Sequence, residues 1–328
     1  MDRPGFGASG EGMGRVALAL LVSWIVVSSS AVVIVIASPV PPLSIAAGRE
    51  AVTAAAWTLI ALFTAPRARA TGEARPFPWG RMAASGILLG VHFACWVGSL
   101  SLTTVTHAAV FVSLQPLFAG LFGLFLGDRA TWRLVIGVLI AAGGSLVLTA
   151  AAHGGDAGSP TITGDLVAVS AAACAALYLT VNRGIGDRVR LPVLLAWVNW
   201  IAALTIAAGV VASGGEWWHP EALWRREGLA ILWLGLAPGL LGHGLMNWSA
   251  RRVPVHVVSV AVLLEPVGAA ALAYWFLAQK FGPREALGAV LLLSGALLTS
   301  LSTRARSAGA ESKGAESKEG RAASPPRD

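Results

Sequence analysis

Apolar runs long enough to cross a bilayer recur ten times along the chain, at 15–36, 43–64, 82–102, 106–127, 132–151, 165–185, 191–212, 228–249, 255–278 and 284–302. Each is close to the ~20 residues that a helix needs to span the hydrocarbon core. Asn199 and Trp200 interrupt the seventh run, the least regular of the ten. Most connections are short, as antiparallel helical neighbours require. The exceptions are 65–81 and 213–227, which carry most of the loop charge and aromatics. The first run follows Arg15 and ends near Ala37 and Ser38, a layout that resembles a leader peptide. It is long enough to span, however, and has a counterpart 150 residues later, which a cleaved leader would not need.

That counterpart belongs to a duplication. Gln115-Pro116 lies midway along one run and Glu265-Pro266 midway along another, an offset of 150 residues. The same offset relates Gly14 to Gly164. A fixed-period self-match marks an internal repeat. Each copy holds five runs, an odd number, so the second copy must enter the bilayer upside down relative to the first. The predicted fold class is therefore an all-α membrane protein with ten transmembrane helices arranged as two inverted five-helix repeats. Repeats of this kind, with helices interrupted at mid-membrane, mark secondary transporters. The expected boundaries are a cytoplasmic N-terminus at 1–13, repeats at 14–151 and 164–302, and a tail at 303–328. The tail repeats Gly-Ala-Glu-Ser-Lys at 309–313 and 314–318 and ends near Pro325 and Pro326. Such a polar, low-complexity stretch is expected to be disordered.

Composition supports the membrane reading. Hydrophobic residues make up 55% of the 328 and charged residues only 12%, against roughly 25% in a soluble domain. Mean hydropathy is +0.69. A net charge of +7 would suggest nucleic acid in a soluble protein. Here the basic residues fall in loops and in the tail, so the bias that places Lys and Arg on the cytoplasmic side is the better cause. With the N-terminus inside, nineteen of the 24 Lys and Arg residues lie on the cytoplasmic side, and the outer side holds Arg225, Arg226, Lys280 and Arg284. Both termini are thus expected in the cytoplasm, with the chain in the cell (inner) membrane. Trp217, Trp218 and Trp224 in an outer loop suit the headgroup layer. Cys95 and Cys174 sit in apolar runs without partners that would imply a disulfide or a metal.

Charged groups in hydrocarbon are costly, so each one is a functional candidate. All six Asp residues are read as lying in loops or termini, which leaves Arg49, Glu50 and Glu265 inside the runs. No paired-aspartate, HExxH or GxSxG pattern is present, and enzyme function is not expected. Glu265 precedes a proline that removes a backbone hydrogen bond, with Gly268 and Ala269 leaving room beside it. It is the candidate for proton coupling, or else a structural plug on the backbone freed by Pro266. Gln115 holds the matching place in the first copy and cannot titrate. Arg49 is a candidate for anion or charge pairing, with snorkelling toward the outer face as the alternative. Glu50, adjacent in sequence, points about 100° away on a helix and is a poor partner for it.

Four pairs at i, i+4 spacing each share one helix face: Trp24 and Ser28, His92 and Trp96, Tyr178 and Asn182, His243 and Asn247. Together with Gln115 they are the candidate substrate path, against the alternative of ordinary helix packing. Gly137, Gly143, Gly144, Gly288 and Gly295 offer small faces for close helix approach within each repeat.

These residues resemble the drug/metabolite transporter superfamily, in its duplicated EamA-domain branch. The likeness rests on Leu114, Gln115, Pro116, Leu117 and Phe118 followed by Leu126, Gly127, Asp128, Arg129 and Gly137. It recurs in Leu264, Glu265, Pro266 and Val267 followed by Gly288 and Gly295, with Gly164-Asp165, Ala176-Leu177-Tyr178 and Trp24 in support. The resemblance covers about 14–302. One departure is Leu277-Ala278-Gln279, where the family often closes its ninth helix with Leu-Gly-Glu. The resemblance implies a ten-helix carrier with both termini inside, working by alternating access and often exporting amino acids or other small metabolites. The expected function is export of a small, amino-acid-like or drug-like solute, with possible coupling to protons. An uncoupled facilitator or importer, or a membrane binding or scaffold protein, is the alternative. The expected partners are a small-molecule substrate and the lipid bilayer, with no cofactor, metal or nucleic acid, in a monomer.

Overall fold

A computed structural model describes residues 10–37, 40–64, 77–125, 131–151, 161–185, 188–215, 226–250, 258 and 262–299. Among these, all regular structure is helical. The tail, the loop bearing Trp217, Trp218 and Trp224, and most of the arginine-rich loop 65–81 lie outside the described residues.

The helices in chain order are α1 (Gly10–Ser28), α2 (Ser30–Ile36), α3 (Pro42–Phe63), α4 (Trp79–Ser99), α5 (Val105–Val112), α6 (Gln115–Phe125), α7 (Trp132–Ala151), α8 (Ile162–Ile185), α9 (Leu191–Ala212), α10 (Arg226–Leu234) and α11 (His243–Ala250). They are followed by the helix Glu265–Leu277 and by a last helix at 283–299. Among the described residues, seven stretches are apolar and long enough to cross a membrane. Asn199 does not interrupt α9, because its amide donates to Leu195 O at 2.6 Å within the helix. Trp200 reaches Thr58 Oγ1 instead, at 3.1 Å.

Large apolar side chains such as Phe63, Leu146, Trp275 and Phe276 point outward, as a lipid-facing surface requires. The interior mixes alanine and glycine with Val, Leu and Ile. α3 lies along α9 and α4 along α8 in the most extensive contacts of the molecule. Gly86 and Gly90 bring α4 against the Val198–Thr205 stretch of α9, where a Cβ would strike Ile201 and Thr205. The close approach expected of Gly137, Gly144, Gly288 and Gly295 within each repeat is instead made between the two halves. Gly137 and Gly144 of α7 lie against the backbone of Gly295, Gly288 and Leu292, while Gly143 faces open space. Both helices carry small residues on one face, and a small face seats best against another small face.

Several of the long stretches are not straight helices. The first run breaks at Ser29, between α1 and α2. The fourth breaks at Ser113 and Leu114, so α6 begins at Gln115. A turn at Leu264 likewise makes Glu265 the first residue of its helix. Between α10 and α11 the backbone widens into a π-helix, Gly235–Gly242, around Pro238. Freed carbonyls within a membrane need partners. Thr53 Oγ1 donates to Gly235 O and Ser23 Oγ to Gly242 O, both at 2.9 Å. π segments often occur at functional sites, and this one turns His243 toward the interior.

Candidate functional site

The centre of the molecule is organised around one cation. Arg49 lies in the first half of α3 and is 1% exposed. It does not snorkel. Its guanidinium carbon lies 4.0 Å from the centre of the Phe93 ring and 5.9 Å from that of Trp96, both on α4. Stacking on aromatic faces offsets part of the cost of burying the charge. Glu50, expected to point away, is drawn back: its Oε1 lies 3.3 Å from Arg49 Nε. Long side chains can close the angle that adjacent helical positions open, and both side chains are buried. Even so, Arg49 Nε and Nη2, Glu50 Oε2 and Trp96 Nε1 find no hydrogen-bond partner among the described residues.

The second half completes the chamber. His243 faces Phe93 edge-on, with ring centres 6.2 Å apart. His92 lies 4.7 Å from Phe93, and its Nδ1 meets Ala171 O at 2.9 Å, which orients the imidazole. Glu265 is half-buried and within electrostatic reach of Arg49, as is Glu50. Tyr178 hydrogen-bonds Asn182 and lies within electrostatic reach of Glu50. Ser85 Oγ donates to Asn182 Oδ1 at 2.7 Å. His92, Trp96, Tyr178, Asn182, His243, Arg49 and Glu265 thus converge from five different helices.

Other expected path residues brace the backbone. Trp24 Nε1 donates to Leu264 O at 2.9 Å, and Ser28 Oγ to Glu265 O at 3.4 Å. Both side chains sit at the break that precedes Glu265, and a Cβ on Gly268 would collide with Ser28. Asn247 folds back on its own helix, donating to His243 O at 2.8 Å. Gln115 is half-buried at the start of α6. Gln279, at the family's usual glutamate position, accepts from Val105 N at 3.2 Å, a bond that needs only an oxygen there.

Two contributions escaped the sequence. Phe93, the ring beneath Arg49, looks like any other apolar helix residue. Asp165, read as a loop residue, lies inside α8 and is 3% exposed. Its neighbour is His107, which is fully buried, with Nδ1 at 3.1 Å and 3.3 Å from the two carboxylate oxygens. An acid and a base both placed at the ends of apolar runs were the available signal.

A multi-helix membrane body with broken helices around a buried charged cluster is the layout of a membrane transporter. The particular family follows from comparison: residues 14–150 and 162–301 match the EamA-like transporter family, and the chain belongs to it. A protein named "Uncharacterized transporter" from Archaeoglobus fulgidus is 22% identical over 219 residues, spanning 67% of this chain and 74% of that one. A "Probable terminal-alkyne amino-acid exporter" from Streptantibioticus cattleyicolor is 24% identical over 209 residues, spanning 61% of this chain and 65% of that one. The chain thus matches about two thirds of the length of these relatives. A solved crystal structure shares the fold, with a TM-score of 0.61 at 22% identity over 89% of this chain and 98% of that one. The protein is a multi-pass membrane transporter of small molecules.

Proposed function

We propose that the protein exports a small zwitterionic, amino-acid-like metabolite by alternating access of the Arg49 chamber. The observation that carries this reading is the set of unmatched polar atoms there. Arg49 Nε and Nη2 and Trp96 Nε1 are donors, and Glu50 Oε2 is an acceptor. Buried polar groups left without partners cost roughly 1–3 kcal/mol each, so they belong to a site completed by a ligand. A carboxylate satisfies the donors and an ammonium group satisfies the acceptor. Phe93, Trp96 and the two imidazoles offer stacking surface to an apolar side chain. The name of the Streptantibioticus relative agrees with this class of substrate.

The remaining architecture is proposed to follow the duplication: ten spans, repeats at 14–151 and 164–302, and inverted orientation with both termini in the cytoplasm of the cell membrane. In support, contacts recur under the 150-residue offset. α4 packs on α8 as the π segment and α11 pack on α1, and helices begin at Gln115 and at Glu265 alike. Rocking of one half against the other would expose the chamber to each side in turn. Glu265, within reach of Arg49, is the proposed coupling group, since a proton there would change the charge balance that Arg49 and the substrate share.

Counterflow in proteoliposomes tests this reading with three probes: leucine, leucine methyl ester and N-acetyl-leucine. The free amino acid is expected to exchange and the two blocked forms are not. Equal exchange of the methyl ester would remove the carboxylate contact. Export against an imposed pH gradient in wild type and Glu265→Gln tests coupling, and identical pH dependence in both would exclude Glu265.

A further inference from the structure

A second buried polar group lies at the end of the molecule where residues 99–107, 161–165 and 278–285 meet. Thr104 caps α5, accepting from His107 N at 3.2 Å, and so fixes the first turn that carries His107. His107 Nδ1 faces Asp165, whose Oδ1 also accepts from Thr103 Oγ1 at 2.8 Å. On its other side, His107 Nε2 lies 3.7 Å from Glu285 Oε1 and has no hydrogen-bond partner among the described residues. Glu285 Oε2 is anchored by Gly282 N at 2.6 Å. The backbones are held close as well. Gly164 lies against Leu102 and Thr103, and Thr161 Oγ1 donates to Leu102 O at 2.6 Å. His107 comes from the first half of the chain and both carboxylates come from the second.

We propose that His107, Asp165 and Glu285 form a proton-binding site that joins the two halves. The two ring nitrogens face opposite ways, each toward a carboxylate. A neutral imidazole donating to Asp165 turns its Nε2 lone pair on Glu285, and the two repel. One added proton makes Nε2 a donor, and the ring then bridges both acids. A proton on the ring therefore favours the joined arrangement over a parted one. Among the described residues, no other ionisable group is placed to take this role. α2 and α6 carry none, and among residues 265–277 Glu265 lies at the far end and Tyr274 is exposed. On α4, His92 and Cys95 lie before the junction, while Lys280 and Arg284 are exposed. With the orientation proposed above this is the outer end, so outside acid closes the outer side and returns the carrier to face inward. This step rests on the alternating-access reading.

The test uses the full chain with Cys95→Ser and Cys174→Ser, spin-labelled at Ser101→Cys and Leu287→Cys, two exposed positions on either side of the junction. Double electron–electron resonance in liposomes is followed from about pH 8 to pH 5, the range in which an imidazole titrates. The short-distance population is expected to rise as pH falls. His107→Gln should abolish the rise, and Glu285→Gln, whose amide can donate to a neutral imidazole, should hold the short distance throughout. A pH-independent distance in the parent, or an unchanged titration midpoint in either variant, overturns the proposal. If His107→Gln does not fold, as judged by elution and thermal unfolding, the isosteric Glu285→Gln decides. Because no substrate is present, failure of the zwitterion reading would leave this distance titration intact, and the two failures are distinguishable.

Discussion

The Arg49 chamber and the His107 junction are both buried, both charged and both assembled from the two halves of the chain, yet their polar atoms are treated differently. At the junction, Asp165 is met by His107 and Thr103, Glu285 by Gly282, and Val105 N by Gln279, which leaves His107 Nε2 as the one atom of this group without a hydrogen-bond partner among the described residues. In the chamber, three donors and one acceptor have no hydrogen-bond partner among the described residues, and the Phe93 ring face and Glu50 share the charge of Arg49. A region whose polar groups satisfy each other holds a structure together. A region that leaves them unmatched is built for something that arrives. The contrast fits a junction that joins the two halves at one end of the molecule and the proposed substrate site at its centre.

That division can be broken by substitution. The largest effect is expected from Arg49→Ala, which should lower amino-acid transport about 100-fold or more, ~3 kcal/mol of lost interaction, while the thermal unfolding midpoint holds or rises. Unfolding without a transport defect in the folded fraction would make Arg49 structural. Asp165→Asn should act on stability rather than on substrate binding. Loss of the carboxylate beside a buried imidazole is expected to cost about 2–3 kcal/mol of stability, read by thermal unfolding in detergent, with substrate KM nearly unchanged. Trp96→Phe keeps the ring and deletes the Nε1 donor. It should raise KM roughly tenfold, ~1.4 kcal/mol, without moving the unfolding midpoint. The smallest effect belongs to Thr103→Val, which removes one hydrogen bond to Asp165 for about 1 kcal/mol of stability and leaves transport unaltered. A KM effect from Thr103→Val as large as that of Trp96→Phe would erase the distinction between the two regions.

Much of this was legible in the linear chain, for a physical reason: hydrocarbon penalises charge and unpaired backbone so heavily that spans and breaks show in composition alone. Gln115-Pro116 and Glu265-Pro266 announced the two interruptions, and helices do begin at Gln115 and at Glu265. His92, Trp96, Tyr178, Asn182 and His243 stood out as polar or aromatic residues in apolar runs, and the fold brings them to one chamber. Other readings failed where side-chain reach or packing partner decided the outcome. Helical spacing separated Arg49 from Glu50, but flexible side chains rejoin them. Trp24 and Ser28 have the same polar signature as chamber residues, yet their donors are spent on the carbonyls of Leu264 and Glu265.

The sequence by itself determined a multi-pass helical membrane protein with a doubled plan, because length, hydropathy and proline placement act locally and need no partner. Only the tertiary structure decided which faces meet. It set the glycines of α7 against those of the last helix, slid Phe93 beneath Arg49 and seated His107 between Asp165 and Glu285. Each of these depends on which helix lies opposite, and a glycine or phenylalanine in an apolar run carries no mark of its neighbour.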